Sequence, residues 1–226
     1  MQYVNARRLL IMDNTNILLR RHSVRDFMDK EIDVDLLKQI IFEAQRAPSY
    51  ENSQPWKAYI ATGKTLESIR EVHKQKAKNR EKSWTEVTPP LGWQEHPKNN
   101  IENYMKETES LIGENGIKDL LSQNAILFNA PAVIYITIPK DSSHYSAYDV
   151  GAFGYGILLS AYHHGLGTVP AYEIIRYPGE IRDHFDIPED ESIFMGIAIG
   201  YPTEGKPLST LVMSRDNLDN ILQIKE

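Results

Sequence analysis

Arg20-Arg21-His22-Ser23-Val24-Arg25-Asp26-Phe27 and Ala47-Pro48-Ser49-Tyr50-Glu51-Asn52-Ser53-Gln54-Pro55-Trp56 are the stretches on which the reading of this chain turns. The first sets three arginines, a histidine and a hydroxyl within residues 20–25. Alone it reads as a solvated basic turn. As a site, Arg21, His22 and Ser23 offer charge-assisted donors to a phosphate. Arg25, if the segment is extended, lies about 13 Å further on, at the far end of an elongated anionic ligand. The second stretch is a polar loop stiffened by two prolines. Its Ser49, Asn52 and Gln54 carry donors and acceptors of the kind that read the edge of a flat heterocycle. By itself it would be a capped helix end followed by a turn. Met213-Ser214-Arg215 adds a further candidate anion contact near the C-terminus.

Outward from these stretches, local patterns define the elements. Asp33 caps a helix to about Ala47, with Leu36, Leu37, Ile40, Ile41 and Ala44 on one face and Pro48 as its stop. Trp56 to Thr62 reads as a strand, with Trp56, Ala58 and Ile60 on one side and Lys57, Tyr59 and Ala61 on the other. Thr65 to about Lys82 is a charged helix, acidic early and basic late, the order that suits the helix dipole. Residues 83–100 hold Trp84, Pro89-Pro90, Trp93 and His96-Pro97 without a clear period, so a long loop or an excursion between helices is expected there. Residues 105–128 are helical. Ala132 to Ile138 and Ile193 to Gly200 are buried strands. Tyr148 to His164 is a helix apolar nearly all round, closed by Gly165, and Pro178 starts a short helix. Few strands and substantial helices make the class α+β or α/β.

Composition narrows the function. The 226 residues contain no cysteine, which excludes disulfides, thiolate catalysis, thiol-ligated zinc and iron–sulfur clusters. A formal charge of −6 argues against a nucleic-acid partner. No apolar stretch spans a bilayer, and a soluble cytoplasmic protein is expected. Residues 1–16 read as a weakly specified leader. Gly63-Lys64-Thr65 lacks the upstream glycine of a phosphate loop, because Ala58 stands there, so a plain strand–turn–helix is expected. Gly151, Gly154 and Gly156 lie inside a helix in the wrong order for a dinucleotide fingerprint and predict close helix–helix approach instead. Adjacent His163 and His164 point about 100° apart on a helix and cannot share a metal.

The R-H-S-x-R-x-F segment and the P-S-x-x-N-x-Q-P-W loop, in this order and at this separation, resemble the nitroreductase family of FMN-dependent oxidoreductases. Asp149-Val150-Gly151-Ala152-Phe153, Gly165-Leu166-Gly167-Thr168-Val169-Pro170 and Gly196 to Pro202 resemble the family's central helix, flavin-side loop and last core strand. The likeness runs from Ile17 to Arg215 and leaves residues 83–125 unmatched. It implies an α+β fold with a central, mainly antiparallel sheet flanked by helices, built as an intertwined homodimer. Residues 17–226 would then form one FMN-binding domain with a variable insert at about 83–125.

The resemblance further implies that Arg21, His22, Ser23 and Arg215 contact the phosphate and ribityl chain. Arg25 would be the cation beside the flavin pyrimidine ring, where reduction adds negative charge. Pro48, Ser49, Tyr50 and Asn52, with Gln54 in the same loop, would come from the other subunit. Pro170, Ala171 and Tyr172 would flank the flavin through their backbone. NADH or NADPH would donate electrons in ping-pong fashion to a small acceptor such as a nitroaromatic or quinone, with no protein nucleophile and no metal. An ene reductase, a dehalogenase or a non-enzymatic flavin-binding protein are the alternatives on the same fold. Some members carry a lysine where Met213 stands and an acid where Tyr172 stands. The aromatic insert with Trp84 and Trp93 is expected either to cover the substrate pocket or to pack on the surface.

Overall fold

The computed structural model describes residues 16–90 and 92–226, so the leader expected at 1–16 lies outside the described residues apart from Asn16. The frame is a four-stranded, wholly antiparallel sheet in the order β1-β2-β4-β3. Its strands are β1 (Lys57–Thr62), β2 (Ala132–Pro139), β3 (Gly167–Ala171) and β4 (Glu191–Gly200). The helices are α1 (Ile17–Arg20), α2 (Val34–Ala44), α3 (Gly63–Lys78), α4 (Glu95–Ala125), α5 (His144–His163), α6 (Pro178–Arg182) and α7 (Pro207–Thr210).

Strand alternation divides the interior between the two sheet faces. Ala132, Ile134, Ile136, Ile197 and Ile199 face α2 and α5, where they join Leu37, Ile40, Val150, Phe153 and Ile157. Val133, Tyr135 and Ala198 face the other way, onto Leu66 and Ile69 of α3 and onto Ile174 and Ile181. The two sides read from the β1 sequence hold: Trp56, Ala58 and Ile60 belong to the first cluster, Tyr59 and Ala61 to the second. Trp56 stacks on Phe153 at 4.9 Å. In β4, Phe194 is the extra residue of a bulge, since Ile136 pairs with Met195 and Thr137 with Ile193.

Several expected boundaries move. The Asp33 side chain caps α2 by accepting from the Asp35 N–H at 2.8 Å, but the helix ends at Ala44. The chain then closes through looser turns before Pro48. Helix α3 starts directly from β1 at Gly63 and stops at Lys78. The loop expected over 83–100 ends early, because α4 begins at Glu95 and takes in His96 and Pro97. Pro97 sits in the first turn, where its missing N–H is not needed. Gly113, at φ 66°, interrupts α4.

Helix α5 gains a turn at its start, where the Ser143 side chain caps it. Strand β3 was not expected: the resemblance makes Gly165 to Pro170 a flavin-side loop, yet Gly167–Ala171 is the last strand of the sheet, where proline is tolerated. Of the three glycines in α5, only Gly156 serves close helix approach. A Cβ there would lie 3.2 Å from Ala44 Cα, whereas Gly151 faces open space.

Candidate active site

Residues 21–28 run extended, held from both sides by backbone hydrogen bonds. Val24 N–H donates to Thr168 C=O of β3 at 2.9 Å, Arg25 N–H to Leu208 C=O at 2.9 Å, and Met28 N–H to Tyr201 C=O at 2.8 Å. Val24 is buried, so its neighbours Ser23 and Arg25 turn the opposite way. The glycine at 167 makes this docking possible: a Cβ there would come within 2.6 Å of Val24 Cγ2. The result is a row of polar side chains on a rigid backbone rather than a solvated turn.

That row opens onto a cavity of about 790 Å³, lined by Arg21, His22, Ser23, Arg25 and Arg215 together with Tyr104 and Tyr155. Five positions read from the sequence as anion contacts are therefore brought to one place, although Arg215 lies far along the chain. Arg21, Arg25 and Arg215 form no ion pair among the described residues. The Arg21 Nε is buried and without a hydrogen-bond partner, and its guanidinium lies 5.6 Å from the centre of the Tyr155 ring. Burial lowers the pKa of Arg25, opposed by its interaction with Tyr104. A buried, unpaired cation is costly unless an anion meets it, so the cavity suits an anionic ligand. His22 behaves differently from expectation: its ring nitrogens lie 3.1 Å from Arg20 C=O and 2.8 Å from Ser209 C=O, so the ring ties the segment to α7.

The second stretch is placed elsewhere. Pro48 borders a hollow of about 530 Å³ between α2 and α5, shared with Tyr155 and Gly156. Tyr50, Asn52 and Gln54 are exposed. Tyr50 N–H donates to the buried Asp149 carboxylate at 3.0 Å, which pins the loop to α5. Ser49 Oγ accepts from the Gln54 N–H at 3.1 Å, and Gln54 Nε2 donates to Asn52 C=O at 3.1 Å. Glu51, Asn52 and Gln54 take φ of 49°, 60° and 47°, a left-handed conformation that non-glycine residues avoid.

Pro170 lines a third hollow, of about 200 Å³, with Gly151, Gly154 and Tyr155. Pro170 and Ala171 end β3 rather than forming a loop, and Tyr172, which follows, is exposed with its hydroxyl 3.4 Å from Thr85 Oγ1. Trp84 and Trp93 are exposed; Lys82 Nζ stands 4.1 Å from the Trp84 ring, and neither tryptophan borders these hollows. Two residues that the sequence reading missed matter here. Tyr155 borders all three hollows, and its only sequence signal was an aromatic ring on the glycine-bearing helix. Tyr104 reaches the main cavity from α4, in the stretch that the motif resemblance left unmatched.

The sequence matches the nitroreductase family over residues 18–201. The chain belongs to that family. It is 26% identical over 225 residues to the 4-nitrobenzoate reductase of Pseudomonas putida, covering 92% of this chain and 93% of that one. It is also 26% identical to the 4-nitrobenzoate reductase of Nocardioides sp. (strain LMS-CY), covering 90% and 86%. Among solved structures, the FMN and NADPH-dependent nitroreductase NfnB from sphigopyxis sp. strain HMH superposes with a TM-score of 0.84 at 26% identity, covering 93% of this chain and 97% of that one. The four-stranded antiparallel sheet with its flanking helices is thus a nitroreductase fold. No helix among the described residues is long and apolar enough to cross a membrane.

Proposed function

We propose that this nitroreductase-family chain is an FMN-dependent NAD(P)H oxidoreductase whose acceptors are nitroaromatics of the nitrobenzoate kind, with quinones as further test substrates. The observation that carries the reading is the cavity with three guanidinium groups that no carboxylate pairs among the described residues. The donor set fits FMN, which joins a phosphate to a flat heterocycle. Arg21, Ser23 and Arg215 would hold the phosphate end, and Arg25 would stand where charge builds on the ring system. FMN would supply the redox chemistry, accepting a hydride from NADH or NADPH and delivering electrons to the acceptor in alternating half-reactions.

The Pro48–Gln54 loop and the Pro170–Tyr172 backbone lie outside the cavity, so in this reading the site is completed by the 48–54 loop of a second copy in a homodimer. Residues 17–226 act as one flavin-binding unit, and a cytoplasmic location, where reduced nicotinamides are abundant, goes with it. The names of the relatives, two of them 4-nitrobenzoate reductases, support the acceptor class.

The deciding experiment is anaerobic. NADH or NADPH is added to FMN-loaded protein while the flavin absorbance is followed, and 4-nitrobenzoate is added afterwards. Bleaching followed by recovery is expected. A yellow protein that neither nicotinamide bleaches would instead be a flavin-binding protein without turnover.

A further inference from the structure

Helix α4 lies in the stretch that the motif resemblance left unmatched, yet it holds residues 213–217 in place. His96, Asn100, Tyr104 and Glu107 recur at helical spacing along one face, and that face lies along residues 213–217. His96 Nε2 is 2.5 Å from Asp216 Oδ2. Thr108, whose hydroxyl donates to Tyr104 C=O at 2.7 Å, brings its Oγ1 within 3.9 Å of Met213 Sδ. Between these, the Glu107 carboxylate accepts from the Ser214 N–H with both oxygens at 3.1 Å and from the Ser214 hydroxyl at 2.7 Å.

Ser214 directly precedes Arg215. The Arg215 Nη1 turns back to donate to Met213 C=O at 3.0 Å and to Ser214 C=O at 2.9 Å. Backbone and guanidinium are therefore one unit, and fixing the Ser214 peptide fixes where the cation points. Residues 211–217 form no helix or strand of their own. Without an anchor, a long exposed side chain on such a segment would sample many positions. Glu107 does not pair with Arg215 itself. An ion pair would compete with a phosphate for the guanidinium, whereas a carboxylate engaged by Ser214 leaves the remaining guanidinium donors for a ligand.

We infer that Glu107 of α4 is a positioning residue for phosphate recognition, holding Arg215 toward the phosphate of FMN through Ser214; this rests on the FMN reading above. The readout is the ratio of riboflavin to FMN dissociation constants, measured by titrating the flavin-free full chain with each flavin. Riboflavin lacks the phosphate, so the ratio isolates the phosphate contribution, whereas a merely structural defect weakens both flavins alike.

Glu107→Ala is expected to lower the ratio roughly tenfold, the scale of one charge-assisted contact. Glu107→Gln, which keeps one acceptor oxygen, should fall between. Adding Glu107→Ala to Arg215→Ala should lower the ratio no further. An unchanged ratio in Glu107→Ala, or full additivity with Arg215→Ala, overturns the inference. Should Glu107→Ala fail to fold, Ser214→Ala removes the hydroxyl from the other side, and an unchanged ratio there overturns it equally. A wild-type chain with no preference for FMN over riboflavin sinks the FMN site and this inference with it. Wild-type preference with an unmoved ratio in the variants sinks this inference alone.

Discussion

The cavity around Arg21, Arg25 and Arg215 and the loop from Pro48 to Gln54 are built on opposite principles. The cavity's backbone is clamped between β3 and α7, and its side chains keep unused donors, including a buried Arg21 Nε. In the loop, the Ser49 and Gln54 side chains bond to the loop's own backbone, while that backbone is strained at Glu51, Asn52 and Gln54. Each such residue costs on the order of 1–3 kcal/mol, and the loop's side chains, of which Tyr50 packs on Tyr145, reach no cavity cation among the described residues. One region is a cavity whose cations have no ionic partner among the described residues. The other is a preformed surface whose strain is explained if a second copy uses it, as proposed above.

The sharpest way to break that contrast is a mixing experiment. An Arg21→Ala/Arg215→Ala chain and a Ser49→Ala/Tyr50→Ala/Asn52→Ala chain should each be nearly inactive. If every site takes its cavity from one chain and its loop from the other, coexpression rebuilds one intact site per mixed dimer. Activity should then recover to about a quarter of wild type for random pairing. No recovery would mean that cavity and loop serve the same chain's site.

Within the cavity, the arginines should separate. Arg21→Ala is expected to weaken FMN binding by about 1.5–3 kcal/mol through loss of a charge-assisted contact. Arg25→Ala should in addition slow flavin reduction by NAD(P)H at saturating FMN. Equal losses of affinity with unchanged reduction rates in both variants would remove the distinction between the two ends.

The clamp beneath the cavity can be strained directly. Gly167→Ala places a methyl against Val24, an overpacking expected to cost about 1–3 kcal/mol in urea unfolding and to loosen FMN. A stable variant with wild-type affinity would show that the 21–28 segment is not rigidly seated.

The smallest expected effect concerns the support of the loop. Glu43 ties α2 to α5, accepting from Ser160 Oγ at 2.6 Å and from Gln39 Nε2 at 2.8 Å, with His164 Nε2 at 3.1 Å. The Ser160 bond foremost, then Gln39 and His164, bring its pKa down from 4.5 to about 2. A depressed carboxyl stabilises the fold above its unfolded pKa and loses that contribution as pH falls through the folded one. Glu43→Gln should therefore cost under about 1 kcal/mol at neutral pH, because solvent screens the site. The difference from wild type should fade between pH 4.5 and about 2. A difference constant across that window would deny Glu43 its role as an ionised tie.

Sequence alone determined the elements whose signals are local. Alternation assigned both faces of β1, continuous apolar runs located β2 and β4, and Asp33 and Gly165 marked helix ends, because period and capping are set by a few neighbouring residues. The cluster at 20–25, in its pairing with the 48–56 loop, announced the family. Tertiary structure decided what no short window contains. It made an edge strand of Gly167–Ala171 where a loop was expected, and of three glycines it set only Gly156 against a neighbouring helix. It also set Tyr104 beside Arg25, and Glu107 on Ser214, a residue 107 positions away. Such contacts depend on how α4 packs across the chain, and hydrophobic periodicity records only that a helix exists, not which polar face meets which distant segment.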